Sequence, residues 1–195
     1  MASTRIRQEK DPNKKALDNQ IQNRNYLAPT GFKFIISRAP KISYFGNQVN
    51  LPSLTLDIAN QPSYLKNIPR PGTQIDFQDL TLRFLVDENL ENYMVIHNWL
   101  RGLGYPETVT EHENLITDPE TNEKDRRFEF SDGSLHILNS NYRDIAIVEF
   151  LGLFPVFLTS LEFEATDTDV NYFTAEVTFK YTLFNMLKPD GRTRL

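Results

Sequence analysis

The chain has 195 residues, no Cys, a net charge of -5 and a pI near 5.3. Without Cys there are no disulfides and no thiolate metal sites, and an acidic balance argues against general DNA or RNA binding, which needs a basic surface to neutralise phosphate. A single domain of this size buries about 70% of the surface its unfolded chain exposes, so no metal or cross-link is needed to hold it.

The aromatics, 14 Phe and 8 Tyr against one Trp, together with the Thr and Ile content, favour sheet over helix. The first residues carry no apolar stretch of signal-peptide length, and no run approaches 18 apolar residues. The expectation is a protein made and kept in a cytoplasm-like compartment, or in a particle assembled there, with no membrane partner.

Residues 1–25 are polar and basic, with Arg5, Arg7, Lys10, Lys14, Lys15 and Arg24 against Glu9, Asp11 and Asp18. Too few apolar residues are present to bury a face. The segment reads either as a tail or as an arm that orders on a neighbouring subunit, where its positive charge suits an acidic body. Order is expected from Tyr26 and Leu27. Phe32, Phe34 and Ile36 alternate as a half-buried strand requires. Pro40 ends that strand, residues 42–45 resume extended structure, and Leu54, Leu56 and Ile58 alternate again. Between 60 and 72 the Pro, Asn and Gly residues read as an irregular loop, with Tyr64, Leu65 and Ile68 as its apolar content. Such a loop folds onto its own core or inserts into a partner.

The next strand changes parity. Ile75 and Phe77 are odd, whereas Leu80, Leu82, Phe84 and Val86 are even, and a one-residue slip turns every side chain to the wrong face. A β-bulge near Gln78 and Asp79 is the expected repair. Asp87 reads as the N-cap of a helix over about 87–103, with Glu88 and Glu91 in its first turn. Its apolar stripe is Leu90, Tyr93, Met94, His97, Leu100 and Leu103, with Trp99 at the edge, buried between helix and sheet. Arg101, Gly102, Gly104 and Pro106 are stop signals.

Residues 107–133 are rich in Asp and Glu and read as a solvated loop or hairpin, with a turn at 118–122. Strands return at 134–139 and 146–150, and Leu153-Phe154-Pro155 reads as a corner. A final long pair, 156–165 and 172–184, is joined by the acidic turn Thr166-Asp167-Thr168-Asp169. Val156 and Leu158 are even but Leu161, Phe163 and Ala165 odd, so this strand too is expected to be bulged. Two bulged strands imply a strongly curved sheet or a barrel. Residues 188–195 read as a polar tail.

No motif carries catalytic chemistry. His97, His112 and His136 lack metal-ligand spacing, Gly102-Leu103-Gly104 follows a helix instead of opening one, and no nucleophile elbow is present. Asp167-Thr168-Asp169 lacks the further ligands of a calcium loop. The expectation is a chain that is not an enzyme, with no metal and no cofactor.

The order of Leu51-Pro52, Pro71-Gly72, the 77–86 strand, the 87–99 helix with its Trp, Phe154-Pro155 and the 167–169 turn resembles the tail-tube protein family of contractile bacteriophages. That family includes baseplate tube-initiator relatives and shares its fold with the type VI secretion tube. The basic extension and the 107–133 insert exceed a minimal tube subunit.

The resemblance implies a mainly β fold, a curved antiparallel β-sandwich or barrel with one flanking helix and extended inter-subunit loops. It also implies hexameric rings stacked into the tail tube of a virion, assembled in the host cytoplasm. The partners implied are further copies of the chain, tail sheath, and baseplate or terminator proteins, with DNA passing the lumen unbound. Tyr64, Leu65 and Ile68 are the expected inter-subunit contact, and Leu90, Met94 and Trp99 the expected helix core. The competing reading is a jelly-roll-like binding module of a virion or baseplate that forms no tube.

Overall fold

The computed structural model describes residues 27–39, 42, 46–117, 124–164 and 172–195. The basic segment 1–25 with Tyr26, the turns at 118–122 and 166–169, and most of 42–45 lie outside the described residues. The strands are β1 (Phe32–Ile36), β2 (Gly46–Val49), β3 (Leu54–Gln61), β4 (Ile68–Phe77), β5 (Leu80–Leu85), β6 (Ser131–Leu138), β7 (Asp144–Leu158), β8 (Thr174–Lys180) and β9 (Leu183–Leu187). Two helices, α1 (Glu91–Gly104) and α2 (Val109–Ile116), and a 3₁₀ turn (Arg126–Glu129) lie between β5 and β6.

Seven strands form one antiparallel sheet in the order β1-β6-β7-β8-β5-β2, with β9 also on β7, while β3 and β4 form a separate two-stranded ribbon. The sheet is open, because β1 and β2 end it and do not pair with each other. It is therefore sandwich-like and not a closed barrel. Its curvature comes from β7, whose residues 144–153 pair with β6 and whose residues 154–158 pair with β8. Gly152, at φ 65°, sits where the strand changes partners. A Cβ there would stand 2.7 Å from the Thr182 hydroxyl.

The expected corner at Leu153-Phe154-Pro155 thus lies inside one bent strand. The register of β7 runs on from Leu151 opposite Leu183 to Phe154 opposite Lys180, and the Thr182 N–H donates to the Leu151 carbonyl at 2.9 Å. The expected strand over 172–184 is therefore two strands, β9 and β8, on one edge of β7. On β8 the expected face holds, with Ala175, Val177 and Phe179 buried; beyond the break the parity changes and Phe184 turns inward.

The core lies between the two halves of this folded sheet. Phe34, Leu135, Val148 and Phe150 face Leu80, Leu82, Phe84, Val177 and Phe179 in one continuous apolar cluster. Phe150 touches Phe34, Tyr181 and Phe184, with ring centroids 5.2–6.3 Å apart. Such edge-on and tilted contacts between large rings dominate core energetics.

Several expectations fail for local reasons. The parity break at Gln78 and Asp79 is no bulge within a strand: β4 ends at Phe77 and β5 starts at Leu80, so the chain leaves one sheet for another. In the later strand the register does shift, between Pro155 and Phe157, but β7 ends at Leu158, leaving Leu161 and Phe163 outside it.

Asp87 does not cap the helix. The Leu90 N–H donates to the Asp87 carbonyl at 2.9 Å, Leu90 adopts φ 59°, and α1 begins only at Glu91. The cause is Asn92, fully buried, whose Oδ1 accepts from the Asp87 N–H at 3.1 Å and whose Nδ2 donates to the Leu85 carbonyl at 2.8 Å. A buried amide must satisfy its polar atoms, and Asn92 does so by turning toward the end of β5. That rotates the helix, so its buried face is Asn92, Ile96, Trp99 and Gly102. Leu90 and Met94, expected in the helix core, are 36% and 42% exposed instead.

The acidic insert is not a loop. α2 folds back on α1 across Gly102, where a Cβ would stand 2.9 Å from that of Leu115.

Candidate functional site

Residues 54–77 form a β-ribbon attached to the body at its base and exposed along its length. This corrects the irregular loop expected over 60–72: β3 and β4 pair from Leu54 opposite Phe77 to Gln61 opposite Ile68, and only 62–67 connect them. Pro69 and Pro71 fit because in a two-stranded ribbon every strand is an edge, where a missing N–H is tolerated. The register is irregular between Leu56 and Ile58, beside Gly72, where the two backbones press together. A Cβ on Gly72 would stand 2.5 Å from the Asp57 carbonyl oxygen, so no other residue fits without moving the backbone.

The base is held firmly. Asn50 Oδ1 accepts from the Thr81 N–H at 2.5 Å, its Nδ2 donates to the Asp79 carbonyl at 3.2 Å, and the Gln78 N–H donates to the Ser53 carbonyl at 3.1 Å. Lys180 pairs with Asp79. Phe77 packs edge-on against Phe184 and Tyr181 at 5.7 and 6.2 Å, joining the ribbon root to the core. The Tyr181 hydroxyl donates to the Gln78 carbonyl at 2.7 Å, and burial together with nearby Asp79 pushes its pKa up to about 12.

Beyond the root nothing in the chain covers the ribbon. Tyr64 and Leu65, at its tip, are 98% and 89% exposed, and Ile68 is exposed beside them. The structure thus brings the three expected contact residues together. It adds Leu54, Leu56, Ile58 and Ile75, also exposed, with Leu54 opposite Phe77 and Leu56 opposite Ile75 on one face. Their alternation in sequence is that of a half-buried strand. The signal that the covering face lies outside this chain is the Pro-bounded partner strand next to them. A lone two-stranded hairpin is marginal in water, and long edges with exposed apolar side chains are templates for further pairing.

Trp99, the remaining residue singled out, is 1% exposed. It donates from Nε1 to the Glu129 carbonyl at 2.9 Å and packs 6.2 Å from the Phe179 ring. Arg38 lies over its other side, 5.2 Å from the ring. Leu90 and Met94 do not join it. Among the described residues no group of three His, Asp or Glu side chains is arranged to hold a metal, and none of the helices described is long and apolar enough to cross a membrane.

No protein-family model matches the chain. The tail tube terminator protein of Enterobacteria phage T4 is 25% identical over 175 residues, 86% of this chain and 92% of that protein. In fold, a chain of the tube-terminating cap of the anti-feeding prophage matches with a TM-score of 0.57 at 14% identity, over 88% of this chain and 97% of its own length. A chain of the sheath–tube complex of an extracellular contractile injection system matches at 0.52 with 16% identity, over 92% and 99% respectively. The tail tube and tube-terminator proteins of contractile tails are therefore the family that this chain resembles, in sequence along most of its length and in fold.

Proposed function

We propose that the chain is a non-catalytic ring subunit of a contractile phage tail tube, placed at the end of the tube as its terminator. The observation that supports this most is the similarity to the T4 tail tube terminator over 92% of that protein. In this reading six copies form a ring, the ring seats on the last ring of the tube, and DNA passes the lumen without specific binding. The ribbon is the element that reaches the neighbour. Its apolar face is unpartnered within the chain, and a permanent ring contact buries more than roughly 2,000 Å². Tail sheath and neighbouring tube or terminator proteins are the remaining partners.

The test is electron microscopy of the purified protein, alone and mixed with preformed tubes. A terminator forms single rings that decorate tube ends and stop elongation. Long tubes from this protein alone would make it the main tube subunit, and a strictly monomeric particle at high concentration would return the jelly-roll binding module to first place.

A further inference from the structure

Arg38 differs from the exposed cations of this chain. Its guanidinium is half-buried over the Trp99 ring and donates through Nη1 to the Phe128 carbonyl. Among the described residues no carboxylate pairs with it, and burial alone holds its pKa below the usual arginine value. A desolvated charge with no counter-ion is unfavourable. The surrounding acids are already committed: Arg101 pairs with Glu111 and, at 3.2 Å, with Glu107, while Lys124 holds Glu113 at 2.8 Å. Arg38 is left as the unbalanced charge of a groove of about 690 Å³ between α1 and α2, lined also by Met94, Asn98, Asn114 and Leu115.

We infer that this groove docks a carboxylate side chain from a second copy of the chain, with Arg38 as its anchor. Three observations choose that occupant. The chain has 26 Asp and Glu against 21 Lys and Arg, so each copy offers surplus carboxylates. A ring or stack contact is heterologous and joins unlike surfaces of identical subunits; an acidic chain needs a cationic socket on one of them. Met94, exposed on the groove wall, supplies apolar area around a charged centre, the setting in which Arg is a frequent hot spot. The inference rests on the ring reading above and names a contact separate from the ribbon.

The experiment uses the full-length chain, with self-association measured by sedimentation velocity at low and high salt and rings scored by electron microscopy. Arg38→Gln retains a donor for the Phe128 carbonyl and loses the charge. Asn98→Asp leaves Arg38 and its packing in place but sets a competing carboxylate in the same groove. Each should weaken association by about ten- to a hundredfold, the range of a charge-assisted hydrogen bond, and flatten its salt dependence, while Arg38→Lys recovers part of the loss. If rings form and Asn98→Asp assembles like the parent at both salt levels, the groove is no docking site and the ring reading stands. Loss confined to Arg38→Gln, with a lowered melting temperature and normal Asn98→Asp, reduces Arg38 to a packing residue. A parent chain that never self-associates removes both readings.

Discussion

The body and the ribbon are built from the same kinds of residue and treat them in opposite ways. In the body, alternating apolar residues on β5 and β8 meet across the fold, and Leu80, Leu82, Phe84, Val177 and Phe179 are fully buried. In the ribbon Leu54, Leu56, Ile58 and Ile75 follow the same pattern and remain exposed. Burial of a Leu or Ile side chain is worth roughly 1.5–3 kcal/mol, so the ribbon leaves unused the driving force that holds the body together. The pattern in a strand therefore reports that a covering face exists, and the fold decides whether that face belongs to the same chain.

Substitutions can break this comparison from either side. The largest effect belongs to the body: Trp99→Ala should destabilise by about 3–5 kcal/mol, as large-to-small core changes do. Chemical denaturation followed by far-UV circular dichroism measures it, and an unchanged midpoint would show that the helix is not anchored through its indole. Asn92→Ala should follow at about 2–4 kcal/mol, because it strands the Asp87 N–H and the Leu85 carbonyl without partners. An Asn92→Ala crystal structure should show the first turn of α1 frayed or re-phased.

The ribbon should answer differently. Gly72→Ala forces Asp57 aside and should distort the ribbon while leaving the melting temperature of the body within a few degrees; amide exchange over 54–77 would reveal it. Replacing Tyr64, Leu65 and Ile68 with Ser should change stability by less than about 0.5 kcal/mol, as exposed sites do, and abolish ring formation. Rings that persist in this triple variant would place the subunit contact elsewhere.

The smallest effect is at the C-terminal turn. Asp190 accepts from the Thr193 hydroxyl at 2.6 Å and from the Arg192 and Thr193 N–H groups, each at 3.0 Å. These bonds lower its pKa from 3.8 to about 2. A depressed folded pKa means the contribution is complete above the unfolded value and is lost as pH falls through the folded one. The 188–195 turn should therefore loosen between about pH 4 and pH 2, visible as faster exchange at the Thr193 amide, with no such change between pH 5 and pH 8.

The strands of the body were legible because their residues alternate and their partners lie in the same chain. Phe34 and Ile36 on β1, and Ala175, Val177 and Phe179 on β8, bury the face that the sequence pattern selects. The start and phase of α1 were not legible, because they depend on one buried amide bonding to the end of the preceding strand, a tertiary contact that overrides the cap preference of Asp87. α2 was hidden by its charge: a helix of eight residues with one buried side chain, Leu115, has almost no periodic signal. At the ribbon, Tyr64, Leu65 and Ile68 were recognisable as apolar residues without an internal partner. Their strand pairing was masked by Pro69 and Pro71, which are compatible with a strand only when both of its neighbours are not in the sheet.

Because β7 belongs to both halves of the sheet, the molecule has a mechanical spine. The ribbon root is tied through Asp79 and Gln78 to Lys180 and Tyr181 at the end of β8, and β8 lies against the second half of β7. A pull on the ribbon is handed to β7 across hydrogen bonds that run perpendicular to the strands and are loaded in shear, so they must yield together and not one by one. From there the load passes along covalent bonds, through Gly152, to the part of β7 clasped between β6 and β9. A subunit strung in this way resists tension between its contact arm and its far sheet as a single cable, with its weakest point at the break between β8 and β9.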